Sequence, residues 1–189
     1  MNIFRSNALI ALGANLPSSA GLPQRTLVAA VAAMPARGLV IRAVSRFFAT
    51  PCFPPGAGPD YVNAVIRVET NLSADACLAA LHGIEEGFGR ERAQRWGMRT
   101  LDLDLLAMDG VVSPDAATQA HWRDLPVNEQ AQQAPDRLIL PHPRLQDRGF
   151  VLVPLADIAP GWTHPILGRT AAELLAGLPP ADLAQIRPI

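Results

Sequence analysis

Asp102 and Asp104 stand two residues apart in the run RTLDLDLL, residues 99–106. On a strand, successive side chains point to opposite faces. Both aspartates therefore share one face, and Leu101, Leu103 and Leu105 share the other. Two carboxylates this close repel, and ionising both is costly without a cation. An oxygen-only pair suits Mg²⁺, which keeps waters and substrate phosphates as its other ligands. The same pattern also suits the solvent-facing side of an edge strand. The upstream residues favour the metal. Arg90, Arg92, Arg95 and Arg99 lie in one short loop that feeds directly into the aspartates. Guanidinium presents planar donors that match phosphate oxygens. Acidic metal ligands beside several arginines make the arrangement that phosphoryl transfer needs.

Three further groups have chemistry within reach. Trp96 sits inside the Arg-rich loop between Gly89 and Gly97. It is either an anchor onto the domain or a lid that excludes water when substrates bind. Tyr61 and Asn63 alternate on one predicted strand and share a face, and Phe150 is another aromatic. An amide between aromatic rings suits a flat heterocycle, although ordinary strand and core positions would account for the same residues. His142, between Pro141 and Pro143, is in reach of a phosphate or serves as a structural hydrogen bonder. No Gly-Lys-Ser/Thr occurs anywhere, which excludes a P-loop kinase.

The elements that must position these residues belong to a chain of 189 residues, enough for one domain with its own core. Hydrophobic residues make up 49% and the net charge is -1, so no global field argues for nucleic acid or a membrane surface. All sixteen basic residues are Arg. Phosphate must then be held by guanidinium forks or backbone amides. Cys52 and Cys77 have neither metal-site spacing nor a disulfide framework, and reduced thiols are expected. No apolar run reaches membrane-spanning length and no cleavable leader is evident, so a soluble cytoplasmic protein is expected.

Residues 8–12 read as a buried strand that Gly13 stops. Helical spacing covers 23–34, a strand 39–48, and a proline-rich loop 51–59. Clean alternation covers 61–70, and a second amphipathic helix spans 71–88 with Ser73 as its cap. A strand at 100–108 ends in Asp109-Gly110, a hairpin signal leading into Val111 and Val112. The order strand–helix–strand–strand–helix–strand is that of a ferredoxin-like βαββαβ unit: an α+β fold with an antiparallel sheet and helices packed on it. Residues 113–136 have little periodicity and read as an extended surface-loop insertion. Short C-terminal helices are expected at 150–158 and 170–178, and the whole chain 1–189 as a single domain.

The run RWGMRTLDLDLL at 95–106 closely resembles the signature of the 6-hydroxymethyl-7,8-dihydropterin pyrophosphokinases. IALGAN (10–15), SRFFATP (45–51), DYVNA (60–64), LPHP (140–143) and RGF (148–150) resemble that family too, in its order. The resemblance covers about residues 8–162. It implies a ferredoxin-like fold and transfer of the β,γ-pyrophosphoryl unit of ATP to a pterin hydroxymethyl oxygen, releasing AMP, in folate biosynthesis. It implies two Mg²⁺ ions on Asp102 and Asp104, with Arg90, Arg92 and Arg99 handling the triphosphate and the transition state. Glu85, Arg137, His142 and Arg148 match the nucleotide side. Tyr61, Asn63 and Phe150 match the pterin pocket, with backbone around Thr50, Pro51 and Phe53, and Trp96 matches the residue that closes over the site. The expected partners are these two small molecules, bound by a monomer.

The chain departs from that pattern in places. Met98 replaces the usual Pro, the Arg-rich loop is one residue shorter, Gln146 stands where a basic residue is expected, and His82 stands where Gln is expected. The insertion at 113–136 is long for the family. None of these changes removes a metal ligand, so an active enzyme is expected. Two rivals from other classes are a non-catalytic ATP-binding regulatory module, which predicts binding without turnover, and a metal-dependent phosphohydrolase, which needs no pterin.

Overall fold

The computed structural model describes residues 5–52, 58–89, 99–130 and 133–189. Its centre is β1 (Ser6–Ala14), whose run of apolar residues suits a strand buried on both faces. Next come α1 (Pro23–Ala33), β2 (Val40–Val44), β3 (Phe48–Thr50) and β4 (Tyr61–Thr70). They are followed by α2 (Ala74–Gly87), β5 (Asp102–Met108), α3 (Ala116–Arg123) and α4 (Val127–Gln130). The chain closes with α5 (Gly149–Ile158), α6 (Ala171–Ala176), α7 (Pro180–Leu183) and β6 (Arg187–Pro188). The sheet runs β5-β1-β4-β3-β6, with β2 also on β4, and these pairs are antiparallel. No described helix is long and apolar enough to cross a membrane.

Strand alternation sorts the apolar side chains into two layers. Ile10, Leu12, Ile66 and Leu103 pack under Leu27 of α1 and Leu81 of α2. Leu9, Val65 and Leu106 point the other way, beneath Val151, Leu152 and Leu155 of α5 and Leu174 of α6. The sheet is thus covered on both sides. The second cover is incomplete, however. Beyond Leu106 and Val65 the same face continues as Asp104 and Asp102 on β5 and as Asn63 and Tyr61 on β4, and α5 does not extend over them. That open end forms the floor of a cleft.

Local chemistry explains the boundaries. Ser73 accepts the Ala76 N–H at 3.2 Å and caps α2. The expected strand at 39–48 is instead two strands, because Ser45 breaks the ladder: its hydroxyl accepts the Val65 N–H at 3.0 Å and donates to the Arg46 carbonyl at 2.7 Å. Asp109, at φ 45°, makes the expected turn, with Val111 N–H on the Met108 carbonyl at 3.0 Å. The chain does not then return along β5. Ser113 pairs with Leu140 instead.

Residues 113–136, expected as an extended loop, carry α3 and α4. The Asp115 carboxylate accepts the Thr118 N–H at 2.9 Å and starts α3, a helix with few apolar residues. At the other end of the chain β6 pairs with β3, a contact that two residues of sequence could not announce. α5 is fixed to the sheet edge by Arg46, which forms a forked ion pair with Asp157 at 2.7 Å and lies over Phe48.

Because Leu152 is fully buried where α5 meets the sheet, Leu152→Ala is expected to lower the unfolding free energy by about 2–5 kcal/mol. Urea denaturation followed by circular dichroism measures the loss. A change below about 1 kcal/mol would mean that α5 is not held by this contact.

Candidate active site

The cleft on the open half of the sheet has a volume of about 740 Å³. Its floor is one cross-strand row. Asn63 of β4 pairs with Gly13 of β1, and Gly13 pairs with Asp102 of β5. A Cβ on Gly13 would meet the Asn63 Oδ1 at 2.9 Å and would come within 4.0 Å of both Asp102 and Tyr61. Glycine here makes room for the Asn63 amide, while Asp102 and Tyr61 stand at ordinary contact distance. Asn63 is buried, and its amide donates to the Thr50 hydroxyl at 2.6 Å, which fixes the direction of the side chain.

Asp102 and Asp104 both line the cleft, as the strand alternation predicted. Their charges face guanidinium. Arg99 pairs with Asp102 at 2.5 Å, and Arg148 stands 4.0 Å from Asp104 while lying over the Phe150 ring at 5.6 Å. Burial works against the Arg99 charge, but Asp102 and then Asp104 outweigh it and raise the guanidinium pKa. Burial also pushes the Tyr61 phenol up, with Arg99 opposing and Cys52 and Asp102 adding.

Backbone anchors hold these groups. Asn15 is buried, and its carbonyl oxygen accepts the Arg99 N–H at 2.8 Å. Its amide donates to the Pro59 carbonyl at 3.1 Å, and its own N–H donates to the Arg99 carbonyl at 3.0 Å. One residue thus ties the segment before Asp102 to the segment before Tyr61. The loop of His142 is stitched to β5 by the His142 N–H on the Leu106 carbonyl at 2.7 Å. His142 Nδ1 accepts the Arg144 N–H at 3.1 Å, so the neutral ring carries its proton on Nε2. Burial first, and Arg148 second, lower the His142 pKa to about 3, while Asp102 works in the other direction. A neutral imidazole with a fixed tautomer is a hydrogen-bond donor for an anion rather than a counter-charge.

The sequence-predicted residues fall into three groups. Thr50 of β3 with Tyr61 and Asn63 of β4 form one, aromatic end of the cleft, and Pro51 and Phe150 also line it. Arg99, Asp102, Asp104, His142 and Arg148 occupy the middle, and Arg137 lies at the rim, paired with Asp136 at 3.0 Å. Phe53, Arg90, Arg92 and Trp96 lie outside the described residues. Glu85 does not line the cleft. It is buried on α2, and its Oε1 accepts the Leu103 N–H at 2.7 Å, gripping the edge strand between the two aspartates. Gln146 turns into its own loop, donating to the Pro143 carbonyl at 2.9 Å and to Asp147 at 2.7 Å.

Sequence reasoning missed Gly13 and Asn15, although the strand ending in GAN was a readable signal for both. It also missed Trp122, Leu125 and Gln130 of the insertion, which line the cleft. Among the described residues no group of three or more Asp, Glu, His or Cys side chains converges. The two aspartates fit a hard cation that takes its remaining oxygens from a bound phosphate, because they open onto the cleft and already attract positive charge.

A family model described as 7,8-dihydro-6-hydroxymethylpterin-pyrophosphokinase (HPPK) matches residues 9–160. The chain is similar to three proteins named 2-amino-4-hydroxy-6-hydroxymethyldihydropteridine pyrophosphokinase. That of Synechocystis sp. is 38% identical over 138 residues, 73% of this chain and 60% of the relative. That of Methylorubrum extorquens is 33% identical over 181 residues, 96% of this chain and 99% of the relative. That of Pseudomonas aeruginosa is 39% identical over 173 residues, 90% of each. Among solved structures, a Plasmodium falciparum HPPK-DHPS chain aligns with a TM-score of 0.62 at 14% identity. It covers 90% of this chain and 43% of its own length, and this likeness bears on the fold alone. The chain therefore spans less than two thirds of the Synechocystis relative and nearly all of the Methylorubrum one.

Two outcomes are expected from this geometry. In the ligand-free protein the His142 ring signals in NMR stay flat between about pH 5 and pH 8, whereas an inflection near 6.5 would show an unshifted imidazole. The sign for stability follows. The folded pKa lies below the unfolded one, so the contribution is full above 6.5 and is lost as pH falls toward 3. Gly13→Ala displaces the Asn63 amide and is expected to raise the KM of the substrate bound at the aromatic end roughly tenfold, the cost of one misplaced hydrogen bond to a bound ring. An unchanged KM would show that the row tolerates a methyl group.

Proposed function

The chain belongs to the 7,8-dihydro-6-hydroxymethylpterin-pyrophosphokinase family, and from that premise we propose that it transfers pyrophosphate from ATP to 6-hydroxymethyl-7,8-dihydropterin. The products are the pterin diphosphate and AMP, a step of folate biosynthesis. One observation carries the reading: the carboxylate pair of β5 and its cationic neighbours share one cleft with an aromatic, amide-lined end at β4 and with the apolar side chains of Leu78, Trp122, Leu125, Leu138 and Ile139. A hydrolase would not need the aromatic end.

Each group then has a task. Tyr61 and Phe150 contact the pterin ring, and Asn63, oriented by Thr50, reads its edge. Asp102 and Asp104 would hold two Mg²⁺ ions, which would supply charge neutralisation for the triphosphate and acidify the attacking hydroxyl. The pterin hydroxymethyl oxygen attacks the β-phosphorus. The bond from that phosphorus to the α,β-bridging oxygen breaks, AMP leaves carrying that oxygen, and the hydroxyl proton passes to solvent water. Arg99 and Arg148 exchange their aspartate partners for phosphate oxygens, a trade of one charged acceptor for another at little cost. His142 donates Nε2–H to the triphosphate without adding a charge.

Arg90, Arg92 and Trp96 belong to the same machinery on this reading, as triphosphate ligands and as the closing residue, and Phe53 to the pterin pocket. Arg137 at the rim serves the nucleotide. Glu85 acts through the strand: its grip on Leu103 sets the spacing of the aspartates. The sheet order β5-β1-β4, with β2 and β3 outside β4, supports a ferredoxin-like βαββαβ core that carries a C-terminal helical extension. We read residues 1–189 as one cytoplasmic, monomeric catalytic domain.

The test is AMP release from ATP and Mg²⁺, with and without the pterin. AMP is expected only with the pterin. Asp104→Ala is expected to lower turnover by at least roughly a thousandfold while the fold survives, because the residue holds metal and is not core. ATP bound tightly without AMP in the intact protein would instead favour a non-catalytic module, and unchanged turnover in Asp104→Ala would sink the metal assignment.

A further inference from the structure

The insertion contributes residues to the cleft, and its attachment is specific. Gln119 on α3 is fully buried and donates to the Pro141 carbonyl at 3.1 Å. From the other side, the Arg144 guanidinium donates to the Arg123 carbonyl at 2.7 Å and to the Leu125 carbonyl at 3.4 Å. Arg144 is also the residue whose N–H fixes the His142 ring. The end of α3 is therefore tied at two points to the loop that carries His142 and Arg148. A solvated surface excursion needs no buried amide and no guanidinium on its backbone carbonyls.

That attachment places Trp122 and Leu125 in the cleft wall on the side of β5, two strands away from Tyr61 and Asn63 on β4. The wall there also includes Leu78 of α2 together with Leu138 and Ile139. Leu125 and Ile139 are buried, while Trp122 keeps part of its ring open to the cleft. This wall carries an apolar group together with the uncharged polar side chains of Gln130 and Gln133 and with His82, and Arg137 stands at the rim. A flat, uncharged heterocycle suits such a wall, and a phosphate does not.

We propose that the 113–136 insertion is a nucleobase wall, in which Trp122 and Leu125 cover the purine ring of ATP and raise its affinity above that of the triphosphate alone. The inference rests on reading the cleft as an ATP site. With the pterin end occupied and the charged middle holding phosphates, the nucleoside has only this side to enter. Gln119 and Arg144 are the positioning residues of the wall. They also couple it to His142, so the base and the triphosphate are received by one connected unit.

The experiment compares ATP with inorganic tripolyphosphate, each with Mg²⁺, by calorimetry on the full chain. Trp122→Ala is expected to weaken ATP roughly tenfold and to leave tripolyphosphate within about a factor of two, as loss of one base–aromatic contact requires. Trp122→Phe is expected to restore most of the ATP affinity. Trp122→Leu, which keeps apolar bulk without an indole, carries the same expectation as alanine if the alanine variant does not fold. Unchanged ATP affinity in the alanine or leucine variant would overturn the proposal. A parallel loss for both ligands would overturn it too, because the insertion would then only support the phosphate groups. Turnover enters none of these readings. A selective loss of ATP binding in a protein that releases no AMP with the pterin would support the wall and defeat the pyrophosphokinase reading alone.

Discussion

Two negative charges on adjacent same-face positions of one strand dominate the architecture of this protein. At a separation of about 7 Å and an effective dielectric near 20, their repulsion is on the order of 2 kcal/mol. That is comparable to the loss of one core contact and must be met locally. Arg99 and Arg148 meet it, one from the segment entering β5 and one from the segment entering α5. Neither guanidinium is free to wander. Asn15 holds the backbone of Arg99, and Arg148 is pinned between Asp104 and the Phe150 ring. The site is therefore built charged, with its cations on short tethers. On the proposed reading, a polyanion arriving with a cation would exchange partners rather than create new charges in a low-dielectric cleft.

The same constraint explains why α5 stops where it does. The sheet face it covers is apolar at Leu9, Ala11, Val65 and Leu106 and turns polar at Asn63 on β4 and at Asp104 on β5, each two residues from its apolar neighbour. A helix continued over Asp102 and Asn63 would bury ionised and amide groups against hydrocarbon, at a cost of several kcal/mol for each unpaired charge. The cleft follows from the sequence pattern of three strands. The N-terminal end of α5 is brought to its edge, and there Arg148 and Phe150 become available to ligands.

Much of this was legible because strand alternation is a strict rule. The shared face of Asp102 and Asp104, and that of Tyr61 and Asn63, follow from a period of two and need no tertiary information. What sequence patterns missed depends on contacts distant along the chain. The split between β2 and β3 rests on one serine hydroxyl reaching β4. β6 is two residues long and is defined by β3. Nothing local to α2 announces that the Glu85 Oε1 accepts the Leu103 N–H of β5, 18 residues further along the chain. The insertion looked featureless because α3 is short and polar overall, with few apolar residues to mark a face. Its order comes from a cap at Asp115 and from Gln119 and Arg144, whose partners lie some twenty residues away.

Those partners change how the cleft should be understood mechanically. Arg144 has a backbone N–H on the His142 ring and a guanidinium on the end of α3, so a displacement of the insertion is transmitted to the imidazole through a single residue. His142 is in turn fastened to β5 by its own N–H on Leu106, two residues beyond Asp104. Glu85 grips the same strand from the opposite side of the sheet. The aspartates are thus held between a buried carboxylate below and a histidine loop beside them, and that loop is braced by the insertion. Phosphoryl transfer tolerates little misplacement of its charged groups. A chain without lysine, whose flexible ammonium groups could adapt to a loose site, has all the more reason to hold its guanidinium and carboxylate groups on rigid supports.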